Sequence, residues 1–120
     1  MLSEAYVMVS DPGVPAGALA AECDRLLGFG RHFPHPLGGS AWLDDRGRPD
    51  LSRPVFTWIT ARMAHVYCLG HLLGRSGDAE LAAQALSGLL GRLRDEQAGG
   101  WFTSIDENGA SPRTEELALV

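Results

Sequence analysis

Two cysteines, Cys23 and Cys68, are too few and too widely spaced for a disulfide framework. Both stand inside apolar helical patterns, so they are expected as buried free thiols and not as a metal pair. The first residues lack the basic start and long apolar run of a secretory leader. No stretch approaches the ~20 apolar residues that span a bilayer. A cytoplasmic location and no membrane partner are the resulting expectations. Basic charge is also scarce: 10 basic against 15 acidic residues leave a formal charge of -5 over 120 residues. That balance repels phosphate backbones, so no nucleic-acid partner is expected. Also missing are a Ser-His-Asp or Cys-His set, a phosphate-cradling glycine loop, and paired carboxylates on one helical face. Asp44 and Asp45 are adjacent and would point apart in a strand. His65 and His71 are six residues apart and do not have the i, i+4 spacing that puts two imidazoles on one metal, so no metal site is expected.

What the sequence does have is the composition of a soluble globular domain, 45% hydrophobic and 21% charged. From Pro15, which suits a first helical turn, Leu19, Cys23, Leu26 and Leu27 recur at helical spacing. A loop rich in Gly, Pro and Asp follows, with a short strand or hairpin around Trp42. Ser52 is expected to cap a second helix that starts near Arg53 and Pro54 and runs to Gly74, about 31 Å at 1.5 Å per residue. Asp78 is expected to cap a third, to about Arg94, with Leu81, Ala82, Ala85, Leu86, Leu89 and Leu93 on one face. The stretch 113–120 reads as the start of a fourth. The third helix has one wet face, whereas the second is apolar nearly all round. A helix of that kind needs cover on several sides, more than four helices of one short chain supply.

The loops beginning Gly38-Gly39 and Gly99-Gly100 share an order of Gly-Gly, aromatic, Asp-x-x-Gly and Pro, and their glycines recur 61 and 62 residues apart. A wet outer helix alternating with a dry inner one at that period is the pattern of two concentric helical rings. Six such units would need about 366 residues. The 120 residues are therefore expected to form a single partial domain holding two repeats.

Arg62 falls on a helical wheel among Val55, Trp58, Ile59, Val66, Leu69 and Leu73, the most apolar face of the second helix. Its guanidinium cannot be neutralised and needs acceptors, from a structural carboxylate or from a polar substrate at the floor of a cavity. Trp42, Trp58 and Trp101 could stack on sugar rings, although a hydrophobic anchor is the commoner fate of tryptophan. His32 and His35 flank a Pro-rich turn and are expected to be exposed.

The run from Trp58 to Tyr67, preceded by Phe29-Gly30-Arg31 and the Gly-Gly-Ser-Ala-Trp-Leu loop and followed by Arg94-Asp95 and Gly99-Gly100-Trp101-Phe102, resembles the N-terminal part of the N-acylglucosamine 2-epimerase superfamily. Within it, the resemblance is to the mannose isomerase and sulfoquinovose isomerase branch, and it covers about residues 20 to 112. It implies an all-α fold, an (α/α)6 barrel with short hairpin loops. The implied activity is aldose-ketose isomerisation or 2-epimerisation of a mannose-like monosaccharide, with no cofactor and no required metal. It further implies proton transfer between C1 and C2 through a cis-enediol, with histidines of later inner helices as acid and base. Arg62, and secondarily Trp58, would bind substrate, Arg62 stabilising the enediolate charge. Residues 113–120 depart from the family pattern: they carry no aromatic, and the expected substrate-contacting tyrosine falls near Ala118. With its catalytic histidines expected beyond residue 120, the chain would be inactive alone and inclined to homo-oligomerise. The competing expectation is a non-catalytic helical-repeat remnant that binds a partner through exposed inner helix faces.

Overall fold

The computed structural model describes residues 15–106. Residues 113–120, expected to start a fourth helix, lie outside them. Within the described residues the order is α1 (Ala16–Gly30), β1 (Trp42–Leu43), β2 (Pro49–Asp50), β3 (Val55–Phe56), α2 (Thr57–Leu72), α3 (Asp78–Leu90) and β4 (Ser104–Ile105). Helices dominate, as expected of an all-α chain. The strands are two-residue ladders in the loops, β1 antiparallel to β2 and β3 antiparallel to β4. No described helix is long and apolar enough to cross a membrane.

Three helix boundaries differ from expectation. Ser52 does not cap α2, because its hydroxyl and amide both bond Asp50 Oδ1. Val55 and Phe56 then continue extended to pair with Ile105 and Ser104, and the helix begins only at Thr57. A pairing partner 50 residues away outcompetes the local cap signal. Likewise Gly77, at φ 87°, holds the N-cap position of α3, with Asp78 inside the first turn. The helix ends at Leu90, because Arg94 is drawn into a bridge with Trp101.

The core forms where α2 meets α3. Phe33, Ala64, Tyr67, Ala82 and Ala85 are buried together, and Val55, Leu93 and Ile105 form a second cluster under the loops. The Tyr67 hydroxyl donates to the Leu27 carbonyl at 2.5 Å, tying α1 to α2. Arg75 ties α1 to α3, through Asp24 and the buried Asp78. Gly70 leaves room for that Asp78 carboxylate, which a Cβ there would meet at 2.1 Å. α3 crosses the first Gly-Gly loop backbone to backbone at Gly88, where a Cβ would lie 2.4 Å from Gly39 Cα.

The repeat is visible as geometry. In the first loop His35 N–H donates to Gly39 O, Gly38 N–H to His35 O, and Ala41 N–H to Phe33 O. In the second, Asp95 N–H donates to Gly100 O, Gly99 N–H to Asp95 O, and Phe102 N–H to Leu93 O. The paired bridges are Pro34 with Ser40 and Arg94 with Trp101. Gly38, Gly39, Gly99 and Gly100 all have φ between 75° and 97°, the left-handed region that a Cβ disfavours, which is why each turn needs both glycines.

Both loops are fastened to the start of α2 by threonines one turn apart. Thr60 Oγ1 accepts from Ser40 N–H at 3.0 Å and donates to Phe56 O. Thr57 donates its hydroxyl to Phe102 O and its amide to Thr103 O.

Candidate functional site

The face of α2 that packs is small and polar: Thr57, Thr60, Ala64, Tyr67 and Gly70 are its buried residues. The strongly apolar face is left open, with Trp58, Leu69, Leu72 and Leu73 between 45% and 59% exposed. Hydrophobic amphipathicity normally runs the other way. The described residues therefore do not supply the cover that an all-round apolar helix needs.

Arg62 stands on this open face and is itself exposed. Its guanidinium lies over the Trp58 ring, Cζ 5.5 Å from the centroid, within cation-π range. This i, i+4 contact on a rigid helix orients the fork. Among the described residues no carboxylate or carbonyl accepts from Arg62. Of the two sources of acceptors the sequence left open, a structural ion pair is not made within residues 15–106. His65, one turn on, is exposed on the same helix.

The other tryptophans are anchored. Trp101 donates Nε1–H to Leu89 O at 2.7 Å and lies under Arg94. Trp42 packs edge-on against Phe56, with Arg53 over its ring at 4.8 Å. Asp44 is turned inward on its own loop, accepting from the Arg46 and Arg48 amides and the Arg48 side chain. These bonds hold its carboxyl below the usual range, the Arg48 amide contributing most.

Three placements correct the sequence reading. Cys23 and Cys68 are exposed, not buried. Cys23 lines an apolar groove of about 550 Å³ between α1 and α2, and Cys68 one of about 390 Å³ between α2 and α3. Both follow from packing through the small-residue face, which leaves the flanks of α2 open. His35, expected in an exposed loop, is buried at 8% exposure, because the turn that carries it folds under the first Gly-Gly pair. Its Nδ1 accepts from Leu37 N–H at 3.0 Å. No spacing rule pointed to this role, but aligning the two loops pairs His35 with Asp95, which accepts from Gln97 and Ala98 in the same way. His32 is exposed as expected. Among the described residues no group of three or more His, Cys, Asp or Glu converges as metal ligands would.

Comparison with known proteins supplies the family context for this geometry. The chain is 46% identical over 91 residues to a D-mannose isomerase of Thermobifida fusca, covering 76% of this chain and 22% of that protein. It is 36% identical over 98 residues to a D-mannose isomerase of Pseudomonas cannabina pv. alisalensis, covering 79% and 23%. Among solved structures it superposes on a cellobiose 2-epimerase from Spirochaeta thermophila DSM 6192 with a TM-score of 0.70 and 28% identity, over 79% of this chain and 24% of that one. The chain thus spans less than a quarter of the length of each of these relatives. Its helices and hairpin loops are arranged as in part of that epimerase, in agreement with the all-α repeats expected from the sequence. Residues 38–117 match N-acylglucosamine 2-epimerase (GlcNAc 2-epimerase), and the chain belongs to that family.

Proposed function

We propose that this chain contributes the substrate-binding Arg62 to a cytoplasmic sugar aldose-ketose isomerase of the mannose-fructose type, and that the 120 residues alone are inactive. The observation that carries this reading is the Arg62 guanidinium, oriented by Trp58 and with no acceptor among the described residues, in a chain 46% identical over 91 residues to a D-mannose isomerase. In the reaction, a base removes the C2 proton of the open-chain aldose and O1 takes up a proton, giving the cis-enediol. Reprotonation at C1 and loss of the O2 proton then give the ketose. Arg62 donates to the oxygens on C1 and C2, where negative charge develops, and its N–H fork matches two neighbouring oxygens at once. The acid and base are histidines from elsewhere in the barrel, whose other repeats would also cover the open face of α2.

The test is conversion of D-mannose to D-fructose by the purified 120-residue chain, and by the same chain extended covalently with the rest of the Thermobifida fusca relative. The expected result is no turnover from the first and turnover from the second. Arg62→Ala should then lower kcat/KM by roughly 100-fold or more. Turnover from the 120-residue chain would overturn the inactivity, and an extended protein indifferent to Arg62→Ala would overturn the role of the arginine.

The exposed leucines favour a second reading, a helical-repeat module that self-associates or binds a partner without catalysis. An extended chain that folds and yet turns over no sugar, beside a 120-residue chain that sediments as a defined oligomer, would favour it.

A further inference from the structure

The two loops close on corresponding hydrogen bonds, the second over one residue more, and are built around different side chains. In the second, the Asp95 carboxylate accepts from Gln97 and Ala98 amides at 3.1 and 3.0 Å. In the first, His35 Nδ1 accepts from Leu37 N–H at 3.0 Å, which puts the neutral ring's proton on Nε2. A carboxylate remains acceptor-only across the range in which an imidazole titrates, whereas a protonated imidazole is a donor at both nitrogens.

The surroundings disfavour a charge on His35, against the support of the Leu51 carbonyl. Nε2 is sealed from solvent with no partner of hydrogen-bonding geometry among the described residues. The loop above it is clamped on two sides, by Gly39 against Gly88 of α3 and by Ser40 N–H on Thr60 of α2.

We propose that the first Gly-Gly loop is an acid-sensitive latch: proton uptake by His35 turns Nδ1 from acceptor to donor, releases Leu37 and loosens the loop from α2 and α3, while the second loop, built on Asp95, stays closed.

Burial holds the imidazole below its ordinary value of 6.5; the Leu51 carbonyl acts in the opposite sense, and the Arg92 charge, from the segment after α3, lowers it further. Arg92 is the charged group acting on the ring, and no carboxylate among the described residues offsets it. The folded state therefore disfavours the proton. The stability this confers is complete above the unfolded imidazole's value and is lost as pH falls through the lower folded one.

Two measurements on the 120-residue chain test the latch. In an NMR titration of its four imidazoles, the resonance that vanishes in His35→Asn should have the lowest midpoint and show the Nε2–H tautomer at neutral pH. Hydrogen exchange should show Leu37 N–H losing protection relative to Gln97 N–H, by up to about tenfold per pH unit as pH falls from the unfolded imidazole's value toward the His35 midpoint, and levelling off below it. His35→Asp, which copies the second loop, should abolish that divergence. A His35 midpoint at or above those of His32, His65 and His71 would overturn the proposal, as would Leu37 and Gln97 losing protection in parallel. If a variant fails to fold, the wild-type titration decides alone, since the tautomer marks the His35 signal.

Discussion

The backbone-to-backbone approach of α3 to the first loop gives a sharp test of the packing. At Gly88 an added methyl would lie 2.4 Å from both Gly39 Cα and Gly39 N and 3.1 Å from Gly38 C, all backbone atoms that cannot rotate away. Restoring ordinary contact requires α3 and the first loop to part by about 1 Å, which costs roughly 2–4 kcal/mol in a close-packed interior. Against this, alanine gains about 1 kcal/mol of helix propensity over glycine. Gly88→Ala should therefore destabilise by about 1–3 kcal/mol, a fall in Tm of roughly 4–20 °C for a domain of this size. Gly28→Ala is the control, because Gly28 is also helical and a Cβ there meets nothing within 4 Å. It should stabilise by about 0.4–1 kcal/mol. Paired thermal melts by circular dichroism at neutral pH decide the matter. Equal effects of the two substitutions, or a Gly88→Ala variant as stable as the parent, would refute the loop-on-helix contact.

Burial pushes the Tyr67 phenol up to about 12, with the Asp78 charge assisting, so an absorbance titration should show a tyrosine ionising well above the ordinary value of 10. Since its folded value exceeds its unfolded one, stability should hold below pH about 10 and fall between about 10 and 12. Tyr67→Phe should remove that alkaline loss and, by orphaning nothing but the Leu27 carbonyl, cost about 1 kcal/mol at neutral pH in a urea melt. Thr60→Val keeps the shape but strands the buried Ser40 amide; a loss of about 1–3 kcal/mol is expected, with exchange at that amide rising first. Arg62→Ala should leave the melting curve within about 0.5 kcal/mol of the parent, because the side chain is exposed and bonds no acceptor among the described residues. A large loss of stability there would mean that Arg62 serves the fold.

The repeat was legible because its punctuation is steric: a left-handed turn calls for glycine, and the Gly-Gly pairs stand where the bridged turns do. The helix interiors were legible for the same kind of local reason. The start of α2 was not, since Ser52 is a good cap by local chemistry and only the distant Ser104–Ile105 strand makes Val55 and Phe56 extended. Nor was the buried side of α2: a wheel ranks faces by hydrophobicity, whereas the described chain packs through Thr57, Thr60, Ala64, Tyr67 and Gly70, small or hydrogen-bonded groups that allow close approach. That inversion exposed both cysteines. His35 was expected to be exposed because its burial depends on how the turn lies under the Gly-Gly pair, which no residue-by-residue rule conveys. Arg62 drew notice as a charge on an apolar face; the structure places the Trp58 ring beside it there, whereas Val55, counted on the same wheel face, lies in β3 and packs with Leu93 and Ile105.

The two threonines at the start of α2 bear on how this chain comes apart. Thr60 reaches back to the loop before the helix and Thr57 forward to the loop after it, so α2 is stitched into both copies of the repeat at once. In a row of units joined only by touching surfaces, an end unit can fray while its neighbour stays folded. Here the melting of either loop removes a hydrogen bond from the same helical turn, which raises the penalty for leaving one unit open beside a closed one. At neutral pH, where His35 keeps the first loop latched, thermal unfolding should then sweep across both copies as one cooperative transition, and a gene duplication that lengthens such an array must carry the helix start together with the loops on either side of it.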